Sequence, residues 1–310
     1  MAIKLGLGLP QLSQYDISRD VAAVARSAEE IGYEGLWVFE VTMYPTPMTQ
    51  GYHGVPGQPW PECFRSCADP LVTLALAAAA TERPRLGTSV LVAALHAPFQ
   101  LARSLAALDV ASRGRLVAGL GTGWSTDQCA AASIAPFEKR GAALDELLDV
   151  CAAVWGPDPV SHQGELCTIA PSAVNPKPAH PIPVFMPALS ARSKRRLVDR
   201  ADGWMPVAHG PRELADEAKK IEDLAVERGR ERPLEVCLRA IAAYTPKPIE
   251  SKDRMPFYGN AAQMAEDAAA HVEAHGIDEL LLDLQITPRN AQELIDIAAE
   301  VHDALRAVGI

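Results

Sequence analysis

Apolar and polar positions along this chain repeat in two alternating rhythms. Short runs rich in Val, Leu and Gly are each followed by a longer segment whose apolar residues recur every three or four positions, the pattern of a strand leading into an amphipathic helix. IKLGLGL (3–9) reads as the first strand. In the segment after it, Val21, Val24, Ala25, Ala28 and Ile31 share one helical face, with Ser18 expected as the cap and Gly32 as the stop. GLWVFE (35–40) is the second strand, and 68–84 is a helix opened by Asp69 and Pro70, with Pro84 beyond its end. RLGTSVLVAAL (85–95) and RLVAGLG (115–121) are strands three and four, followed by helices over 98–114 and around 137–155. PIPVFMP (181–187), GWMPVA (203–208), VCLRAIAAY (236–244) and ELLLDLQ (279–285) continue as strands five to eight. Helices near 190–201, 211–229, 260–275 and 290–307 lie between and after them.

Strands that are apolar throughout, rather than alternating, imply a parallel sheet covered on its outer face. Eight strand-plus-helix units over about 250 core residues is the arithmetic of an α/β (β/α)8 TIM barrel. A doubly wound open sheet is the alternative, because closure is not written in a sequence. No stretch of linker composition divides the chain, so 1–310 is expected to be one domain. Three connections are overlong and rich in Pro and Gly: 41–67 after strand two, 157–180 before strand five and 245–259 after strand seven. Long loops in a compact domain serve as lids or binding loops, and those after strands two and seven belong to the face where barrel strands end, the functional face.

Composition narrows the functional classes. The chain has 310 residues, 48% hydrophobic and 22% charged, with a formal net charge of −10. An acidic protein gains nothing from counterion release on a polyanion, so nucleic acid is not an expected partner. The longest apolar stretch, LVTLALAAAA (71–80), is too short to span a bilayer, and MAIKLGLGLPQ lacks signal-peptide features. A soluble, cytoplasmic protein is expected. Cys63 and Cys67 form C-x-x-x-C with no second pair at zinc-site spacing, and the six scattered cysteines read as structural thiols.

RLVAGLGTGWSTDQ (115–128) has the look of a nucleotide-binding glycine loop, with Gly119, Gly121 and Gly123 at alternate positions. The dinucleotide fingerprint G-x-G-x-x-G fails in both registers, since its third glycine falls on Trp124 or Thr126. Five stretches give a different reading: AEEIGYEGLWVFE (28–40), LGTSVLV (86–92), LAALDVASRGRLVAGLGTGW (105–124), PKPAHPIPVFM (176–186) and RLVDRADGWMP (196–206). In order and spacing they resemble segments of the luciferase-like monooxygenase superfamily, and within it the branch using coenzyme F420, a deazaflavin. The resemblance implies an α/β barrel with insertions, a flavin or deazaflavin across the strand ends, and hydride chemistry at its central ring.

Carried over residue by residue, the resemblance implies that Gly121, Thr122, Gly123 and Trp124 line the cofactor where strand four closes. It implies a non-proline cis peptide at Ser89–Val90, backing the ring system. Met186, Pro187 and Ala188 stand where members commonly have a glycine pair. Ser190 and Arg192, with Lys194, Arg195 and Arg196, open a helix that would form an anion site for the cofactor's tail. Glu40 keeps the acid that follows strand two, but Val41 stands where many members carry a catalytic histidine. Trp124 stands where members that oxidise sugar phosphates carry Glu, so that reaction is not assigned.

Glu40 and His96, which ends strand three, are the candidate proton-transfer groups; His209, ending strand six, is a further one. Tyr44, His53 and Trp60 in the long second loop are candidates for substrate contact. Trp37, Phe39, Phe64 and Trp124 suggest an apolar cavity. His271 and His275 recur i, i+4 on a late helix and are expected on its solvent face.

The expected activity is F420-dependent hydride transfer to or from a small organic substrate. The alternatives are an FMN-dependent monooxygenase of the same fold and a non-catalytic cofactor-binding barrel. A metal-dependent hydrolase is disfavoured, and no metal is expected, because Glu40, His96, His209 and Asp283 lack paired-ligand spacing. Family members are often dimers, so the resemblance extends to a homodimer.

Overall fold

In the computed structural model, which describes residues 3–207 and 209–310, the alternating pattern becomes alternating elements. They run β1 (Lys4–Gly8), α1 (Ile17–Ile31), β2 (Gly35–Val38), α2 (Pro70–Ala80), β3 (Arg85–Thr88), β4 (Leu91–Val92), α3 (Pro98–Ala111) and β5 (Leu116–Gly121). Next come α4 (Thr126–Ala132), α5 (Arg140–Trp155), β6 (Val160–Gln163), β7 (Thr168–Ser172), β8 (Val184–Met186), α6 (Ala191–Arg200) and β9 (Gly203–Trp204). The chain ends with α7 (Pro211–Glu227), β10 (Glu235–Ile241), β11 (Ala243–Tyr244), β12 (Tyr258–Gly259), α8 (Ala261–Ala274), β13 (Glu279–Asp283) and α9 (Ala291–Ala307).

The main sheet runs β3-β2-β1-β13-β10-β9-β8-β5-β4, and β3 also pairs with β5, which closes the ring. Every pairing around it is parallel. β3 and β4 are two halves of one interrupted strand, so the protein is a closed eight-stranded (β/α)8 barrel. The expected third strand over 85–95 is thus broken at Ser89–Val90, and its last residues, Ala93–Leu95, form a 3-10 turn.

Side-chain alternation decides what fills the barrel. Leu36, Leu86, Leu116, Leu280 and Leu282 point outward to the helices and are fully buried there. Trp37, Val117, Phe185, Met205, Cys237 and Leu281 point inward and pack together. The large rings need vacant neighbours. A Cβ at Gly87 would lie 2.2 Å from Trp37 Cζ3, and one at Gly203 would lie 2.6 Å from the Phe185 ring. That is why these strands are rich in glycine. Below them Glu279, wholly buried, accepts from Trp37 Nε1 at 2.6 Å and pairs with Arg85.

Two local expectations change. Asp16, not Ser18, caps α1: its carboxylate accepts from the Ser18 N–H, and Gly32 then stops the helix at φ 117°. His271 is completely buried rather than solvent-facing; its Nδ1 faces the Asp267 carbonyl at 2.6 Å and its Nε2 the His209 carbonyl at 2.9 Å. Helix α8 is packed against both α7 and α9, so the face that periodicity left polar is covered as well. Among the described residues no helix is long and apolar enough to cross a membrane.

Candidate active site

The C-terminal ends of β2, β4, β5 and β8 meet at one sector of the rim. After Val38 the chain leaves the sheet, and buried Gln11 pins it: Phe39 N–H donates to Gln11 Oε1 at 2.8 Å, and Gln11 Nε2 donates to the Phe39 carbonyl at 2.9 Å. The next side chain, Glu40, is therefore held in place. Its Oε2 accepts from the Val92 N–H at 2.6 Å, and its Oε1 lies 2.8 Å from His96 Nε2. The 3-10 turn after β4 delivers His96 to that position. Glu40's side chain is 2% exposed and His96's is 24% exposed. Burial by itself lowers the imidazole pKa; the hydrogen bond and charge of Glu40, with a smaller push from Asp69, reverse this and hold it above the ordinary value. The pair thus contains a positioned carboxylate and a histidine that still reaches water.

The interruption between β3 and β4 is held by several hydrogen bonds. The Ser89–Val90 peptide is cis. Ser89 N–H donates to the Val38 carbonyl at 2.7 Å, and Thr88 Oγ1 both donates to the Gly119 carbonyl and accepts from its N–H, at 2.8 and 2.9 Å. The Ser89 carbonyl accepts from Arg239 Nη1 at 2.7 Å. Arg239 also pairs with buried Asp283 and lies over the Phe39 ring at 5.2 Å.

Val90 packs directly against strand four. A Cβ at Gly121 would lie 2.5 Å from Val90 Cγ2, so any larger residue must displace Val90, while Pro187 Cγ at 3.7 Å is in ordinary contact. Gly123 has φ 73°, left-handed backbone, and a Cβ there would lie 2.6 Å from Val92 Cγ1. Thr122, between them, is half-buried, as is Pro187, while Met186 and Ala188 are buried.

The loop over 41–67 folds across this sector on an aromatic cluster. The Trp124 ring lies 4.8 Å from Trp60, 5.3 Å from His53 and 5.7 Å from Tyr52, and Tyr52 in turn packs on Phe64 at 5.6 Å. Polar clips hold the loop to the segment after β5. Gln50 Nε2 donates to the Trp124 carbonyl at 3.2 Å, Thr49 Oγ1 donates to Asp127, and Thr42 N–H donates to Gln128 Oε1. His53's pKa is lowered to about 4, first by desolvation among the rings and then by positive Arg239. Tyr44 meets Trp60 edge-on at 6.1 Å, but its hydroxyl donates outward to Glu62 and Arg65 covers its ring.

The family profile described as luciferase-like monooxygenase matches residues 7–307. The chain belongs to the luciferase-like monooxygenase family. An uncharacterised protein of Mycobacterium tuberculosis is 32% identical over 265 residues, covering 81% of this chain and 91% of that one. An F420-dependent glucose-6-phosphate dehydrogenase of Beutenbergia cavernae is 30% identical over 216 residues, covering 69% and 60%. Among solved structures, an F420-dependent secondary alcohol dehydrogenase in complex with an F420-acetone adduct superposes with a TM-score of 0.77 at 18% identity, covering 99% of this chain and all of that one.

The rim of this luciferase-like protein suits a flat ring system of the flavin or deazaflavin kind. Gly121, without a side chain, lets Val90 and Pro187 close into a compact apolar wall. His209, at the end of strand six, has Nδ1 buried with no hydrogen-bond partner among the described residues, a group that a bound ligand would satisfy. The helix expected to hold the cofactor's tail is arranged differently from the sequence expectation. Ser190 caps α6 in a reciprocal box with Ser193. Arg192 is 70% exposed and turned toward Asp145, Arg196 is buried in a pair with the same Asp145, and Lys194 pairs with Glu217. These charges are drawn to acids on α5 and α7, which leaves the backbone N–H groups and helix dipole to meet an anion.

Glu40, His96, Ser89, Val90, Gly121 and Pro187 are thus brought together, and His53, Trp60 and Trp124 form the cover. Tyr44 joins the edge of the cover through Trp60 but turns its hydroxyl to Glu62, and Arg192 stands apart. Arg239 was missed. Its signal was a single charge inside the otherwise apolar run VCLRAIAAY, which a barrel strand tolerates only where a partner such as Asp283 waits across the interior.

Proposed function

We propose that this protein is an F420-dependent oxidoreductase that moves a hydride between the deazaflavin and a small, largely apolar organic substrate. The Glu40–His96 pair at the cofactor sector of the rim carries the reading. When bound, the cofactor supplies a two-electron hydride donor or acceptor. Reduction of a C=O or C=N bond also consumes one proton, and oxidation of the corresponding alcohol or amine releases one. His96 is suited to that proton. Its imidazolium is stabilised by Glu40, and its exposed edge exchanges with solvent. Glu40, acceptor-only when ionised, orients the ring and is itself oriented by the Val92 N–H.

The cover selects the substrate. Trp60, Trp124 and Tyr52 present ring faces and few free polar groups, which favours an apolar molecule and keeps water from the transferred hydride. Trp124 occupies the place of the acid implied for sugar-phosphate oxidation and is committed to ring contacts. A phosphorylated sugar is accordingly a poor fit, despite the likeness to a glucose-6-phosphate dehydrogenase.

Titration of the purified protein with F420 and with FMN, followed by absorbance, tests the proposal. F420 is expected to bind at micromolar levels. His96→Asn should retain that binding while slowing single-turnover reduction of a ketone or imine panel about 10²-fold or more. FMN binding with oxygen consumption, and no F420 binding, would replace this reading with a flavin monooxygenase. Tight cofactor binding with no turnover across the panel would make the protein a carrier.

A further inference from the structure

Residues 157–180, before strand five, form the hairpin β6–β7, which lies against α5. Its tip residue Leu166 packs on Ala94, Ala135 and Ala143. Beside this contact stand three side chains that the proposed chemistry does not use. Glu146 on α5, His162 on β6 and Cys167 just before β7 each offer one donor atom, and these atoms all lie within 4.8 Å of one another.

We propose that Glu146, His162 and Cys167 bind a borderline-soft divalent cation of the zinc type, pinning the hairpin to α5. Glu146 Oε1 and His162 Nε2 are 3.6 Å apart. That is too long for a hydrogen bond, but close to the separation of about 3.3 Å between two ligands of tetrahedral zinc at ordinary bond lengths. His162 Nε2 is buried and has no hydrogen-bond partner among the described residues. A buried ring nitrogen without a partner is uncommon, and a metal ion is one of the groups that satisfies it.

The turn between the strands is shaped around the same two atoms. A Cβ at Gly164 would lie 2.1 Å from Glu146 Oε1 and 2.6 Å from His162 Nε2, so glycine lets the backbone close over them without moving either side chain. The carboxylate is already oriented. Its Oε2 accepts from the Glu165 N–H at 3.1 Å, and its Oε1 accepts from the Leu166 and Cys167 N–H groups at 2.8 and 3.0 Å. The bond to Oε2 is an outer contact of the kind that holds a metal ligand in place, whereas coordination through Oε1 displaces one of its two N–H bonds.

The donor set decides the class of ion. One sulfur, one imidazole nitrogen and one carboxylate oxygen suit zinc, whereas magnesium and calcium take oxygen throughout. Coordination converts the Cys167 thiol to thiolate, so each ion taken up releases that proton. Three protein ligands leave a fourth position for water.

The full chain, stripped with a chelator, should be titrated with Zn²⁺ against a chromophoric competitor and separately with Co²⁺. One equivalent is expected to bind, and the cobalt form should show thiolate charge-transfer absorption with tetrahedral d–d bands. Cys167→Ser should abolish the thiolate band, and His162→Ala should weaken Zn²⁺ binding at least tenfold. Circular dichroism of the metal-free variants checks that both still fold. Absence of stoichiometric uptake, or of the thiolate band in the wild-type chain, overturns the proposal without any variant. Uptake unchanged in both variants overturns it equally.

Discussion

His96 Nε2 lies 2.8 Å from Glu40 Oε1, and the other oxygen of that carboxylate takes the Val92 N–H at 2.6 Å. One buried acid therefore anchors the turn that carries the histidine and biases the imidazole toward its protonated form. Glu40→Gln keeps an oxygen for Val92 but removes the negative charge, so the His96 pKa is expected to fall. An NMR titration of the imidazole, assigned with His96→Asn, reads this directly. A His96 pKa that stays raised in Glu40→Gln would show that another group holds it.

The same shift sets a pH dependence with a definite sign. A histidine whose pKa is raised in the folded state contributes stability that is fully present below its unfolded value near 6.5 and is lost as pH climbs through the folded value. The urea-unfolding advantage of the wild type over His96→Asn should accordingly be larger at about pH 6 than at about pH 9. Turnover should follow the protonation state: substrate reduction slows as pH passes above the His96 pKa, and oxidation speeds up over the same range.

Arg239 holds Asp283 and the Ser89 carbonyl together across the inside of the barrel. Asp283's side chain is only 3% exposed, so Arg239→Met leaves a nearly dehydrated carboxylate unpaired. A loss of about 3–5 kcal/mol is expected by urea denaturation. Arg239→Met combined with Asp283→Asn should recover part of it, because the lone charge is gone. An additive double variant would show that the two do not act as a pair.

Gly121 and Val90 touch so closely that one added methyl has no room: its carbon would sit 2.5 Å from Val90 Cγ2. Gly121→Ala is expected to cost about 1–3 kcal/mol by displacing Val90, and to weaken cofactor binding measured by fluorescence titration. Adding Val90→Ala makes space for the methyl and should restore most of both. If the double variant is as poor as the single, contact with Val90 is not the reason for glycine here.

Trp124 touches three rings of the cover. Each such pair contributes about 0.5–1.5 kcal/mol beyond the area it buries. Trp124→Ala should release the 41–67 loop, seen as faster amide hydrogen exchange there with no change in β10. Exchange unchanged in the loop would mean that the clips from Gln50, Thr49 and Thr42 hold it alone.

The barrel was readable because apolar runs of strand length recur between helices whose inward faces repeat every three or four residues, as in Val21, Val24, Ala25 and Ala28. The cofactor-facing residues and Glu40 are readable through resemblance, whereas His96 is readable from its place at a strand end. Neither the break at Ser89–Val90 nor the reason for Gly121 is visible locally, since LGTSVLV and GLGTGW read equally well as plain strands. His271 was misplaced for a related reason: periodicity separates polar from apolar faces but does not show how many neighbours a helix has. Arg192 was expected near the cofactor because it opens a helix, yet Asp145, distant in sequence, draws it away.

What the amino-acid order settles alone is therefore local and periodic: eight strand–helix units and the overlong loops between them. Closure of the ring, the meeting of Glu40 with His96 across 56 residues of chain, and the pairing of Arg239 with Asp283 belong to the tertiary structure. Hydrophobic spacing constrains each element through its own few turns or pleats. Contacts between charged groups on different elements depend on how all eight units pack at once, and no short window of sequence carries that information.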